Sequence, residues 1–231
     1  MLDSIRTGYQ SWNEFEFDVL DVKSSSLTAF SALPPYWVID DAFGADLAAQ
    51  LAEFALSRES AFTEATVGKS EDRSVRKTVR SSRTMQDLGG VRDTLEHQFR
   101  EVLPTALPRL GLAPFALTGL SMELAAHGDG DFYHRHIDTF VGGTASGADR
   151  VLTAVYYFHA MPRAFHGGEL RLHALRRAEQ GGSHVDIEPK NDRLLLFPAW
   201  APHEVRPTSC PNGGFAQSRF AINCWYLGQS A

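Results

Sequence analysis

The sequence predicts a mainly β fold (α+β), a jelly roll with supporting helices ahead of it. Short apolar-alternating runs recur from about residue 116 to the end, and turn residues separate them. Two earlier segments carry apolar residues at helical spacing instead. A chain of 231 residues is long enough to bury one sizeable core. We read one domain over 35–231, its core at about 116–228, behind a leader or edge extension at 1–34.

The leader carries Ser24-Ser25-Ser26 and ends at Pro34-Pro35, a composition that breaks regular structure. Tyr36-Trp37-Val38-Ile39 reads as a first strand. Leu47, Leu51, Phe54 and Ala55 then share one face of a helix, as do Leu95, Phe99, Val102 and Leu103. Pro104 is expected to end the second helix, because it lacks an N–H and its ring crowds the preceding turn. Both apolar stripes need a sheet to cover them, so the helices are expected to brace the outside of the barrel.

Between the helices lies a basic stretch. From 69 to 83 the chain carries Lys69, Arg73, Arg76, Lys77, Arg80 and Arg83 against Glu71 and Asp72, six charges less two, or +4. A solvated hairpin is one reading of loop 64–83, and a loop that meets acidic or polypeptide partners is the other.

Further on, Leu120, Met122 and Leu124 alternate with Ser121 and Glu123. More strands are expected at 150–158, 168–173, 184–188, 192–198, 202–206 and 217–226. In the last of these, Arg219, Ala221, Asn223 and Trp225 form one face, and Phe220, Ile222, Cys224 and Tyr226 the other. Thr153, Val155 and Tyr157 share a face in the same way.

His136-Ile137-Asp138 places an imidazole and a carboxylate two residues apart, so on an extended segment both point to one side. Pro202-His203-Glu204-Val205 adds a second imidazole on a later strand. Two histidines and one carboxylate form the ligand set of non-haem Fe(II) sites, which leave the opposite coordination positions open. An inward Arg219 would present a planar fork suited to a carboxylate. His134 shares the parity of His136, whereas His97, His159, His166, His173 and His184 are expected to be ordinary hydrogen-bonded or exposed side chains.

These motifs give the chain a resemblance to the Fe(II)/2-oxoglutarate-dependent dioxygenases, specifically the prolyl-4-hydroxylase-like branch that includes the hypoxia-sensing prolyl hydroxylases. The similarity runs from about Leu124 to Tyr226 through ordered blocks at 130–138, 150–157, 167–170, 186–197, 202–205 and 219–226. It implies a double-stranded β-helix, His136, Asp138 and His203 as catalytic iron ligands, and Arg219, Tyr157 and Asn223 as cosubstrate-binding residues. It also implies Fe(II), 2-oxoglutarate, dioxygen and an accessory role for ascorbate. The carboxylate of Asp138 argues for hydroxylation over halogenation. The resemblance further implies that loop 64–83 folds over substrate. Where the family carries a tyrosine upstream of the first histidine, this chain has Ala126-His127-Gly128, which leaves His127 as the candidate replacement. The 210–214 turn, Cys210-Pro211-Asn212-Gly213-Gly214, reads as an insertion outside the pocket.

The expected reaction is hydroxylation of an unactivated C–H bond, foremost in a prolyl residue of a protein or peptide. The alternatives are a free amino acid or biosynthetic small molecule as substrate and, from another class, a non-catalytic metal-containing β-barrel. A net charge of −6 argues against a nucleic-acid partner, which needs a basic surface. Acidic residues punctuate the first 30 positions, so no membrane span or secretory signal is expected there. Two cysteines, Cys210 and Cys224, make no disulfide framework, and a cytoplasmic location is expected.

Overall fold

The computed structural model describes residues 30–66, 75–139 and 148–229. Most of the expected leader and the centre of loop 64–83 lie outside the described residues.

Two antiparallel sheets face each other. The larger runs in the order β1 (Trp37–Ile39), β11 (Arg193–Pro198), β7 (Ala148–Phe158), β14 (Arg219–Gln229), β5 (Leu117–His127), β4 (Arg83–Met85), β2 (Thr63–Glu64). The smaller runs β10 (His184–Ile187), β9 (Leu170–His173), β12 (His203–Val205), β6 (Phe132–His136), β3 (Arg80–Ser81). A third pair joins β8 (His166–Gly167) to β13 (Thr208–Ser209). This is the mainly β, jelly-roll architecture that the alternating runs predict.

Side-chain alternation sorts the core into two layers. On β7 and β14, Leu152, Ala154, Tyr156, Phe158, Phe220, Ile222, Cys224 and Tyr226 pack outward beneath the helices. Val155, Tyr157 and Ala221 point the other way, toward Leu170, Leu172 and Ile187 of the smaller sheet. Because successive strand residues face opposite sides, one pattern builds both the helix-covered layer and the wall of the barrel interior.

The helices are α1 (Ala45–Ser57) and α2 (Arg92–Arg109). Leu47, Leu51 and Ala55 of α1 and Leu95 and Phe99 of α2 are buried on the outer face of the larger sheet. Each such Leu or Phe contributes roughly 1.5–3 kcal/mol on burial. Asp192 anchors the start of α1 from across the chain. Its two carboxylate oxygens accept the Phe43 and Gly44 N–H groups, both at 2.9 Å, and one also accepts the Tyr156 hydroxyl at 2.8 Å.

One expectation fails. Helix α2 does not stop at Pro104 but continues to Arg109 with Pro104 and Pro108 inside it. Both prolines lie on the exposed face, where water can take the carbonyls they free, while Ala106 and Leu107 carry the buried stripe past them. Packing outweighs the local penalty. Among the described residues no helix is long and apolar enough to cross a membrane.

Candidate active site

The cavity between the sheets has an empty volume of about 970 Å³, its open mouth included. The residue pair His136 and His203 enters it from the smaller sheet, directly opposite each other in the β6–β12 pairing. Asp138 lies two residues past the end of β6, where its N–H donates to the Ala199 carbonyl at 2.9 Å. Potential ligand atoms of His136, Asp138 and His203 all fall within 4.8 Å of one another. The exposed His134 does not join them.

Both imidazoles are oriented by the backbone. Nδ1 of His136 donates to the His134 carbonyl at 2.8 Å, and Nδ1 of His203 to the Ala201 carbonyl at 2.9 Å. This tautomer, assigned from the hydrogen bonds, leaves each Nε2 lone pair facing the cluster. Burial brings His136 down to about 3, aided by the neighbouring His203. Burial alone would raise the Asp138 carboxyl, but His203, His136, Arg150 and the Thr153 hydroxyl together hold it below its ordinary value. The Thr153 hydroxyl donates to Asp138 Oδ2 at 2.7 Å. Two imidazole nitrogens and a carboxylate make a donor set that could hold a divalent metal.

Deeper in the barrel stands Arg219, 2% exposed, with Tyr157 fully buried beside it. The guanidinium carbon sits 4.9 Å from the centre of the Tyr157 ring. Burial raises the Tyr157 phenol to about 12, with Arg219 pulling the other way, so the hydroxyl stays a proton donor. Arg219 Nε and Nη2, the Tyr157 hydroxyl, His127 Nε2 and Thr208 Oγ1 are all buried without a hydrogen-bond partner. Such a concentration of unsatisfied donors fits an anionic, acceptor-rich group, as a dicarboxylate is. Gly168, at φ +71°, makes room: a Cβ there would meet Arg219 Cδ and Thr208 Oγ1 at 2.9 Å each.

The structure also brings in side chains to which the sequence assigns no role. Arg80, on β3, is buried and pairs with Glu123 Oε1 at 2.8 Å, and Asn223 Nδ2 donates to the same oxygen at 3.3 Å. Arg80 therefore belongs to the cavity wall and not to a solvated charge run. The Arg150 guanidinium lies 3.7 Å over the Trp225 ring and 3.9 Å from Asp138 Oδ1. Tyr133 stacks on His136 with ring centres 3.5 Å apart. None of residues 210–214 lines the cavity.

Comparison with known proteins places these features in context. Residues 122–227 match the family described as the 2OG-Fe(II) oxygenase superfamily. Over 138 residues the chain is 35% identical to a PKHD-type hydroxylase of Synechocystis, covering 57% of this chain and 44% of that one. It is 33% identical to human Egl nine homolog 1 over 123 residues, 50% of this chain and 25% of the relative. The chain thus spans less than half the length of these relatives. Among solved structures, a Trichoplax adhaerens prolyl hydroxylase bound to a hypoxia-inducible-factor peptide superposes with a TM-score of 0.62 at 24% identity, covering 94% of both chains. A Pseudomonas putida prolyl-4-hydroxylase gives 0.62 at 20% identity over 90% of this chain and 99% of its own.

Proposed function

Because residues 122–227 form a 2OG-Fe(II) oxygenase domain, a kind of domain that works with Fe(II), 2-oxoglutarate and dioxygen, we propose that this protein hydroxylates a prolyl residue of a protein or peptide. His136, Asp138 and His203 are the metal ligands in this reading, and Arg219 and Tyr157 bind the distal carboxylate of 2-oxoglutarate. Asn223, which lines the same cavity, is a further cosubstrate-binding residue in this reading. The supporting observation is that one cavity is lined both by the three-donor cluster and by Arg219 and His127, whose buried nitrogens have no hydrogen-bond partner.

The iron supplies, when bound, the oxidative chemistry that couples conversion of 2-oxoglutarate to succinate and carbon dioxide with insertion of one oxygen atom into a C–H bond. The protein's own part is positioning. The His134 and Ala201 carbonyls keep the two Nε2 lone pairs on the metal side, and the Thr153 hydroxyl fixes the Asp138 carboxylate. His136, Asp138 and His203 would hold the ion from one side and would leave it open to cosubstrate and dioxygen on the other. Arg219 offers its Nε and Nη2 edge as a fork to the carboxylate, and the neutral Tyr157 hydroxyl adds a further hydrogen bond. Holding the cosubstrate at both ends restricts where the reacting carbon of the substrate must lie.

A prolyl substrate draws on the likeness to a PKHD-type hydroxylase at 35% identity and on a fold shared with two proteins named as prolyl hydroxylases. A free amino acid is the second reading, drawn from a different observation: charged groups of both signs, Arg80, Arg150 and Glu123, line the cavity wall, with Arg80 and Glu123 paired to each other. Purified enzyme with Fe(II), 2-oxoglutarate and ascorbate separates the two. Succinate formation coupled to one added oxygen on proline-containing peptides is the expected result. Coupling to free amino acids alone would establish the second reading, and no succinate with either class would overturn both. In this reading the enzyme acts in the cytoplasm.

A further inference from the structure

We propose that His127 is a further contact to 2-oxoglutarate: its imidazole accepts an N–H of Arg219 at Nδ1 and donates its own Nε2–H to an oxygen of the bound dicarboxylate. The inference rests on the reading of the site given above and concerns a residue where this chain departs from the tyrosine its family resemblance implies.

His127 ends β5 and is the direct cross-strand partner of Arg219 on β14, so its place is set by sheet register and not by a loop. It is 3% exposed and lines the cavity. Its Nδ1 is 3.4 Å from Arg219 Nη1. A guanidinium can only donate, so Nδ1 must accept and the ring proton must sit on Nε2. Burial, followed by the charges of Arg219 and Arg80, lowers the imidazole well below its ordinary value, which keeps this neutral tautomer in place.

Two consequences follow from this one contact. It holds the Nη1 corner of the guanidinium, whose other neighbour is the Tyr157 hydroxyl, and leaves the Nε and Nη2 edge for the remaining space. It also leaves a directed N–H, His127 Nε2, buried and without a partner. A carboxylate offers about four lone-pair sites, of which the Arg219 fork uses two and Tyr157 a third. The imidazole N–H supplies the next. A hydroxyl such as that of Thr208 can rotate to suit its surroundings, whereas an imidazole N–H is fixed by its ring and requires an acceptor in one direction.

The test measures binding and tautomer rather than turnover. Calorimetry under anaerobic conditions, with Mn(II) as the metal, would give the dissociation constant of 2-oxoglutarate for the wild type, His127→Leu and His127→Gln. Loss of one hydrogen bond to a charged group should weaken binding about tenfold or more in His127→Leu. Glutamine can accept from Arg219 and donate onward, so His127→Gln should stay within about threefold of the wild type. In the wild type, nitrogen NMR of the imidazole should show the Nε2–H tautomer, with that proton shifting when 2-oxoglutarate is added. This arm stands even if a variant fails to fold. An Nδ1–H tautomer, or a His127→Leu protein that is folded and binds as tightly as the wild type, would overturn the inference while leaving the site assignment intact. A wild type that does not bind 2-oxoglutarate at all would overturn the site assignment itself, and this inference with it.

Discussion

His136 and His203 are direct cross-strand partners in the β6–β12 pair, and their ring centroids lie 4.2 Å apart. Sheet register, not loop geometry, therefore brings two ligands separated by most of the core onto one spot. A one-residue slip would turn His203 to the outer face, where Glu204 now points.

His203→Ala should abolish tight metal binding. Removing an outer partner of a ligand typically costs 10–100-fold in affinity, so removing a ligand should cost at least about 100-fold. Electron paramagnetic resonance with Mn(II) would measure it, and succinate formation should fall with it. Retention of wild-type Mn(II) affinity would remove His203 from the site.

Thr153→Val tests the carboxylate. The valine keeps the β-branched shape that β7 requires but removes the 2.7 Å hydrogen bond to Asp138 Oδ2. Metal affinity should drop about tenfold with little change in folding, read by Mn(II) titration beside a thermal melt. An equal loss in both measurements would instead make Thr153 a packing residue.

How far the sequence reaches is seen in these same residues. Alternation alone separates Arg219, Asn223 and Trp225 from Phe220, Ile222 and Cys224, because a strand has only two faces and one must be apolar. It does not reveal the partners of His136 and His203, since any residue can offer a carbonyl. Nor does it find Arg80, which sits in a basic stretch that reads as solvated and whose partner Glu123 is 43 positions away. Pro104 misleads because helix propensity is local, whereas the stripe of Leu95, Phe99 and Ala106 that holds α2 together is a tertiary fact.

Arg219→Lys should raise the KM for 2-oxoglutarate more than about tenfold and change kcat less. A lysine retains the charge but not the fork, and it would leave His127 Nδ1 without its donor. Tyr157→Phe should act in the same direction, more weakly, because only one hydroxyl is lost. Cosubstrate titrations of succinate production would show the order. A KM unchanged in both variants would move the dicarboxylate elsewhere in the cavity.

Gly168→Ala should damage stability and cosubstrate binding together. The new methyl would press on Arg219 Cδ and Thr208 Oγ1 at 2.9 Å, from a backbone held at φ +71°. A non-glycine residue in that conformation costs of order 1–3 kcal/mol before any clash is counted. Chemical denaturation should therefore show a loss of about that size, with a raised KM for 2-oxoglutarate. A stable variant with normal KM would mean that the turn between β8 and β9 and the Arg219 side chain can move apart freely.

Chelation should leave the protein folded. None of His136, Asp138 and His203 belongs to either apolar cluster, and the two layers on β7 and β14 are complete without them. Metal binding then adds only its linkage term, about 2.7 kcal/mol at 100 times the dissociation constant. For a domain of this size that corresponds to a rise in Tm of roughly 5–10 °C. Melts in EDTA and in excess Mn(II) should both be cooperative and differ by that shift. Loss of a cooperative transition in EDTA would instead make the ion a structural element, and the barrel would then owe its closure to the metal and not to strand register.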